Sequence, residues 1–246
     1  VEQAKILMDE AEYNNLGDEA KEMRWGRWHT CGLCEQSYHG VVACALGWAC
    51  WKTYVGRPET DPARQMAMTV LGNGLSAAKH HEDALSVKEA DLSMERRLGS
   101  SEESVLVTQS NLAATYKQLG RIEESLRLLG DVYSRRLKLF GEEHKDTLRA
   151  AYNYANTLTD LRRHEEARSL LRGTVPVARR VFGEGHRLTL KMRWTYGQAI
   201  YKDPAATLDD LREAVTTLED TARIARRVLG GANPVTRGIE GDLRDA

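Results

Sequence analysis

The chain has 246 residues, with 35 basic and 36 acidic side chains and a formal net charge of −1. So even a balance creates no global field that would gather nucleic acid or anionic lipid. No apolar run approaches the roughly 20 residues that cross a bilayer, and no basic-then-apolar signal segment opens the chain. The expectation is a soluble intracellular protein, cytoplasmic or nuclear, with neither nucleic acid nor a membrane as partner.

The first segment, residues 1–36, opens inside the helical phrase VEQAKILMDEAEYNN at Val1, which leads us to expect that something precedes it. The segment ends in a C-x-x-C turn. All four cysteines, Cys31, Cys34, Cys44 and Cys50, fall within 20 residues. Clustering of this kind points to metal or reduced thiols rather than to a disulfide framework. Cys31, Cys34, His39 and Cys44 have the C-x2-C-x4-H-x4-C spacing of a zinc knuckle. The next element excludes it. Residues 37–56 read as a capping helix, and on a helix His39 and Cys44 stand about 140 degrees apart around the axis, too far to grip one ion. Cys44 and Cys50, among Val41, Val42, Leu46, Trp48 and Trp51, are then packing residues. Cys31 and Cys34 remain as half of a metal site, since two thiolates cannot fill the four positions of zinc. The expectation is no cofactor in this chain, and zinc only in a longer form.

Residues 57–230 repeat. The phrases LFGEEHKDTLRAAYNYANTL and VFGEGHRLTLKMRWTYGQAI set Gly141 and Gly183 42 residues apart, and Gly99 lies another 42 earlier. Gly56 precedes Gly99 by 43, and Gly230 follows Gly183 by 47, an interval lengthened by KDPAATLDD. Each period holds two helical patterns, with glycine ending one helix and acids opening the next, as at Gly120 and Glu123-Glu124. Helix pairs that cannot bury their apolar faces alone stack on their neighbours. The fold class expected is all-α, a right-handed superhelical solenoid of antiparallel helix pairs. Pro176 removes one backbone bond from its helix and predicts a kink near Gly173. Residues 231–246 read as a C-terminal capping helix.

A small residue on each first helix is matched by another twelve positions later on the second: Gly72 and Ala84, Ala113 and Ser125, Ala155 and Ala167. With Leu71, Leu112, Tyr116, Tyr154 and Leu158, these units resemble tetratricopeptide repeats of the 42-residue kinesin-light-chain form. The phrases RWHTCGLCEQSYHG and CALGWACW, followed by repeats, resemble algal and protist proteins that join a RING-CH finger to such repeats. That resemblance implies that Cys31 and Cys34 are the last ligand pair of a two-zinc finger whose other ligands are not in this chain.

In such repeats the first helix of each pair lines the concave face, and the resemblance places a ligand-contacting asparagine at the position of Asn111 and Asn153. The inward candidates for binding a peptide are Asn111, Lys117, Arg149, Asn153, Asn156, Lys191 and Trp194, with Tyr152, Gln198 and Tyr201 beside them. Amides suit an extended peptide because each offers both a donor and an acceptor. Arg149, Lys117 and Lys191 favour an acidic peptide or a carboxylate. The arginine pairs Arg96-Arg97, Arg135-Arg136, Arg179-Arg180 and Arg226-Arg227 recur before the landmark glycines, where they complement helix dipoles. No G-x-S-x-G elbow, P-loop or H-E-x-x-H appears, and His80-His81 fall at a turn, so no enzyme is expected. The function expected is a non-enzymatic interaction scaffold for a peptide or partner subunit. Two alternatives are the substrate-recruiting part of a RING-CH-type ubiquitin ligase and a structural subunit of a large assembly.

Overall fold

A computed structural model describes residues 1–246, with the side chain of Asp18 outside the described set. Among the described residues the chain forms twelve α-helices and one short 3-10 turn, in two compact units, Val1–Arg121 and Ile122–Ala246.

The N-terminal unit contains α1 (Glu2–Tyr13), α2 (Asp18–Trp25), the 3-10 turn Gly26–Trp28, α3 (Gly40–Tyr54), α4 (Pro62–Ala77), α5 (His81–Leu98) and α6 (Glu102–Gln118). The single leading helix expected over 1–36 is thus two helices. The capping helix begins at Gly40 rather than at 37, because residues 29–38 fold back as a small hairpin. Its Tyr38 N–H donates to the His29 carbonyl at 2.9 Å and its Cys31 N–H to that of Gln36 at 2.9 Å. Burial is led by Trp25, Trp28 and Tyr54, with Met8, Ala63 and Cys50 around them. The Trp25 and Tyr54 rings lie 5.3 Å apart, and Trp28 meets Tyr54 edge-on. Burial pushes the Cys50 thiol well up, so it is inert packing. Cys44 packs at the Leu71, Leu75 and Ala84 cluster. Helices α3 and α4 meet backbone to backbone: a Cβ added at Gly74 would lie 2.5 Å from the Ala43 carbonyl oxygen.

The C-terminal unit contains α7 (Ile122–Phe140), α8 (Lys145–Asp160), α9 (His164–Phe182), α10 (Arg187–Tyr201), α11 (Leu208–Leu229) and α12 (Pro234–Asp245). Consecutive helices pack on one another. Leu148, Ala155, Leu171, Ala178, Met192 and Ile200 fill its main cluster, and Leu190, Leu218 and Ile239 fill the next. Fully burying side chains of this size yields about 1.5–3 kcal/mol each. Helix α9 continues from His164 to Phe182 through Pro176.

The repeat frame is visible in the backbone. Gly99, Gly141, Gly183 and Gly230 all have left-handed φ, between 66° and 90°, which a residue without Cβ adopts freely. Ala84, Ala113, Ser125, Ala155 and Ala167 are all fully buried. Within the C-terminal unit the joint entering each first helix also recurs. Phe140 stacks on His144 and Phe182 on His186, at 4.7 and 4.5 Å. Each histidine Nδ1 then accepts the N–H two residues on, from Asp146 and Leu188. The hydroxyls of Thr147 and Thr189 donate to the carbonyls of Arg136 and Ala178 in the preceding helix, both at 3.3 Å.

The arginine pairs act structurally. Arg97 meets Glu59 at 2.5 Å, Arg180 meets Glu143 at 2.6 Å and Arg226 meets Glu240 at 2.6 Å. Arg136 is buried and reaches Asp146 at 3.5 Å.

Candidate peptide-binding face

Helices α8 and α10 lie side by side in the C-terminal unit. On α8, Arg149, Tyr152, Asn153 and Asn156 follow the i, i+3, i+4, i+7 spacing of one face, and on α10 Lys191, Trp194, Gln198 and Tyr201 form the matching row. The structure therefore brings five of the predicted residues, Arg149, Asn153, Asn156, Lys191 and Trp194, to neighbouring helices. Asn111 and Lys117 stand on α6 in the N-terminal unit. There the Asn111 carbonyl accepts from the Lys88 ammonium and the Thr115 hydroxyl, at 3.4 and 3.2 Å.

The α8 row is open. Arg149 is largely exposed, with Asp146 at 3.1 Å. Asn153 and Asn156 are half-buried, and among the described residues their side-chain amides have no hydrogen-bond partner. The Lys191 ammonium sits over the Tyr152 ring, 5.7 Å from its centroid. Burial, and then the nearby Arg187, lower the pKa of Lys191. Burial, and then the Asp160 carboxylate, raise that of the Tyr152 phenol, and Arg187 opposes the rise. Neither Lys191 nor Arg187 has a carboxylate partner among the described residues. Arg187 is a member of this face that the sequence frame did not single out. The available signal was its place one turn before Lys191.

The α10 row is closed at its far end. Trp194 Nε1 donates to the Asp242 carboxylate on α12, and its ring covers Gly238 so tightly that a Cβ there has no room. Gln198 Nε2 and the Tyr201 hydroxyl donate to the same carboxylate, each at 2.6 Å. Trp194 thus holds α12 in place, and Asp242 is the second residue the frame missed. The open face consists of Arg149, Asn153, Asn156, Arg187 and Lys191.

In the hairpin, the Cys34 and then the Leu33 backbone N–H, with the Cys34 thiol, lower the Cys31 thiol to about 7. Cys34 is exposed. Among the described residues no group of three or more histidine, cysteine or acidic side chains is placed to hold a metal.

A family model for the tetratricopeptide repeat matches residues 104–172. Solved structures share the fold, two of them as follows. A kinesin light chain of nearly identical TPR-like repeats from Podosopora anserina is 20% identical, with 92% of this chain and 94% of that chain covered and a TM-score of 0.59. BtubC (BKLC) from P. vanneervenii is 17% identical, with 83% and 85% covered and a TM-score of 0.65. A comparison with curated protein sequences finds no match.

Proposed function

We infer, from the premise that this is a tetratricopeptide-repeat chain of kinesin-light-chain-like fold, that it is a non-enzymatic scaffold capturing an extended acidic peptide on the α8–α10 face. The observation that carries this is the pairing of two unpartnered amides, Asn153 and Asn156, with two cations lacking carboxylate partners, Arg187 and Lys191. The amides would clamp a peptide backbone at successive groups. The cations, one resting on the Tyr152 ring, would receive a side-chain or terminal carboxylate with charge-assisted bonds. Arg149 would extend the positive rim.

The test is fluorescence anisotropy with two labelled peptide pools of equal length, one enriched in Asp and Glu and one in Lys and Arg. Saturable binding of the acidic pool, weakened at least tenfold by joint Arg149→Ala and Asn153→Ala replacement, is expected. Equal binding of both pools, or no effect of the double replacement, sinks the reading.

A second reading, that the scaffold recruits substrate for a RING-CH-type ubiquitin ligase, draws support from the Cys31–Cys34 hairpin. Its two thiolates would supply half of a zinc site that orders a finger and performs no covalent chemistry. A thiolate-to-cobalt absorption band on Co2+ addition, lost in Cys31→Ser, is the expected signature; a flat spectrum counts against it.

A further inference from the structure

Helix α5 carries three ionisable side chains along one buried face, Lys88, Asp91 and Glu95, each at most 5% exposed. None is neutralised by an opposite charge. Lys88 Nζ donates to the hydroxyls of Ser76 on α4 and Thr115 on α6, both at 2.9 Å. Asp91 receives only the Thr69 hydroxyl from α4, at 2.9 Å. Glu95, one turn further along α5, receives the Ser104 hydroxyl of α6 at 2.5 Å on one oxygen. Its other oxygen is buried with no partner at all. Around the two acids, then, α4 contributes a neutral Thr69 and α6 a neutral Ser104. On α5 itself the nearest charges are each other and Lys88, which is already engaged by hydroxyls on both neighbouring helices.

Two buried carboxylates one helical turn apart, neither of them in an ion pair, are costly to ionise together. A proton retained on Asp91 removes one charge and supplies a donor on this buried face.

We propose that Asp91, buried on the same face as Glu95 with a single hydroxyl partner, keeps its proton in the folded chain and makes the α4–α5–α6 packing a pH-responsive joint, tight while Asp91 is neutral and loosened when it ionises. Burial, opposed by the Thr69 hydroxyl and reinforced by Glu95, lifts the Asp91 carboxyl to about 7. The unfolded chain releases the corresponding proton near pH 4. Between those values the unfolded state binds fewer protons than the folded one, so stability falls as pH rises through this window. The window ends close to neutrality, so the joint responds to modest alkalinisation.

The experiment is urea unfolding of the full chain from pH 5 to pH 8, for the native sequence, Asp91→Asn, Glu95→Gln and an exposed control, Glu103→Gln. The native folding constant should fall by tenfold or more across this range, roughly what one displaced carboxyl implies. The control should follow the native curve. Asp91→Asn should flatten it, matching the native chain near pH 5 and exceeding it at pH 8. Parallel curves for the native chain and Asp91→Asn would overturn the proposal. Should either variant fail to fold, carboxyl carbon chemical shifts of the native chain decide instead. An Asp91 proton lost below pH 5 rules the joint out, and one retained to near neutrality supports it.

Discussion

Helices α5 and α9 occupy the same place in the repeat and yet treat their inner faces differently. Lys88, Asp91 and Glu95 are buried on α5, whereas the corresponding α9 positions, counted from Ala84 and Ala167, are the buried Leu171, the half-buried Thr174 and the buried Ala178. The difference starts on the helix opposite. Gly72 of α4 leaves so little room that a Cβ there would stand 3.0 Å from the Lys88 Cγ, so the lysine stem lies where a methyl would otherwise be. On α8 the corresponding small residue is Ala155, fully buried, and its methyl closes that space. Beside it the second helix lays the buried aliphatic Leu171 in place of a charged stem. Two second helices of one period therefore present a charged and a largely apolar inner face.

That contrast can be broken most severely where backbones touch. Gly74→Ala should cost about 3 kcal/mol, because the added carbon meets the Ala43 carbonyl. Urea unfolding followed by the Trp25 and Trp28 signal would report it, and a loss below about 1 kcal/mol would show that α3 and α4 can slide apart at little cost. In the C-terminal unit, Asp242→Ala strands three donors, those of Trp194, Gln198 and Tyr201, at the α10–α12 contact. A loss of about 2 kcal/mol is expected, with a red shift of Trp194 emission as α12 loosens. An unchanged spectrum would mean that apolar packing alone holds the last helix.

Smaller effects sharpen the comparison. Asn153→Ala should alter stability by no more than about 0.5 kcal/mol, since its amide bonds nothing in the protein, while weakening acidic-peptide binding. A large loss of stability would make the amide a structural residue. Gly173→Ala, with open space around it in α9, should raise stability by about 0.5–1 kcal/mol. A decrease would show that α9 needs a flexible point beside Pro176.

The period, the helix pairs and the glycine turns were legible in the sequence because each is a local pattern repeated, so that every unit restates the others. The row of Arg149, Asn153 and Asn156 follows from spacing along one helix, whereas setting Lys191 of the next first helix beside it required the repeat frame and the resemblance to known repeats. What escaped depends on contacts with no repeat to reinforce them. The split of the leading segment into α1 and α2 is set by a core built from Met8, Trp25 and Tyr54, distant in sequence. Trp194 falls on the expected row, but its orientation is fixed by Asp242, in the only stretch that lies beyond the last repeat glycine. The burial of Asp91 and Glu95 was hidden because acids on a second helix ordinarily read as a solvated face.

The joint shared by His144 and His186 has an evolutionary consequence. Phenylalanine, histidine and threonine there form a connector complete within one period: ring on ring, imidazole on amide, hydroxyl on carbonyl. A segment that carries its own plug and socket can be duplicated by unequal recombination and still fit both neighbours.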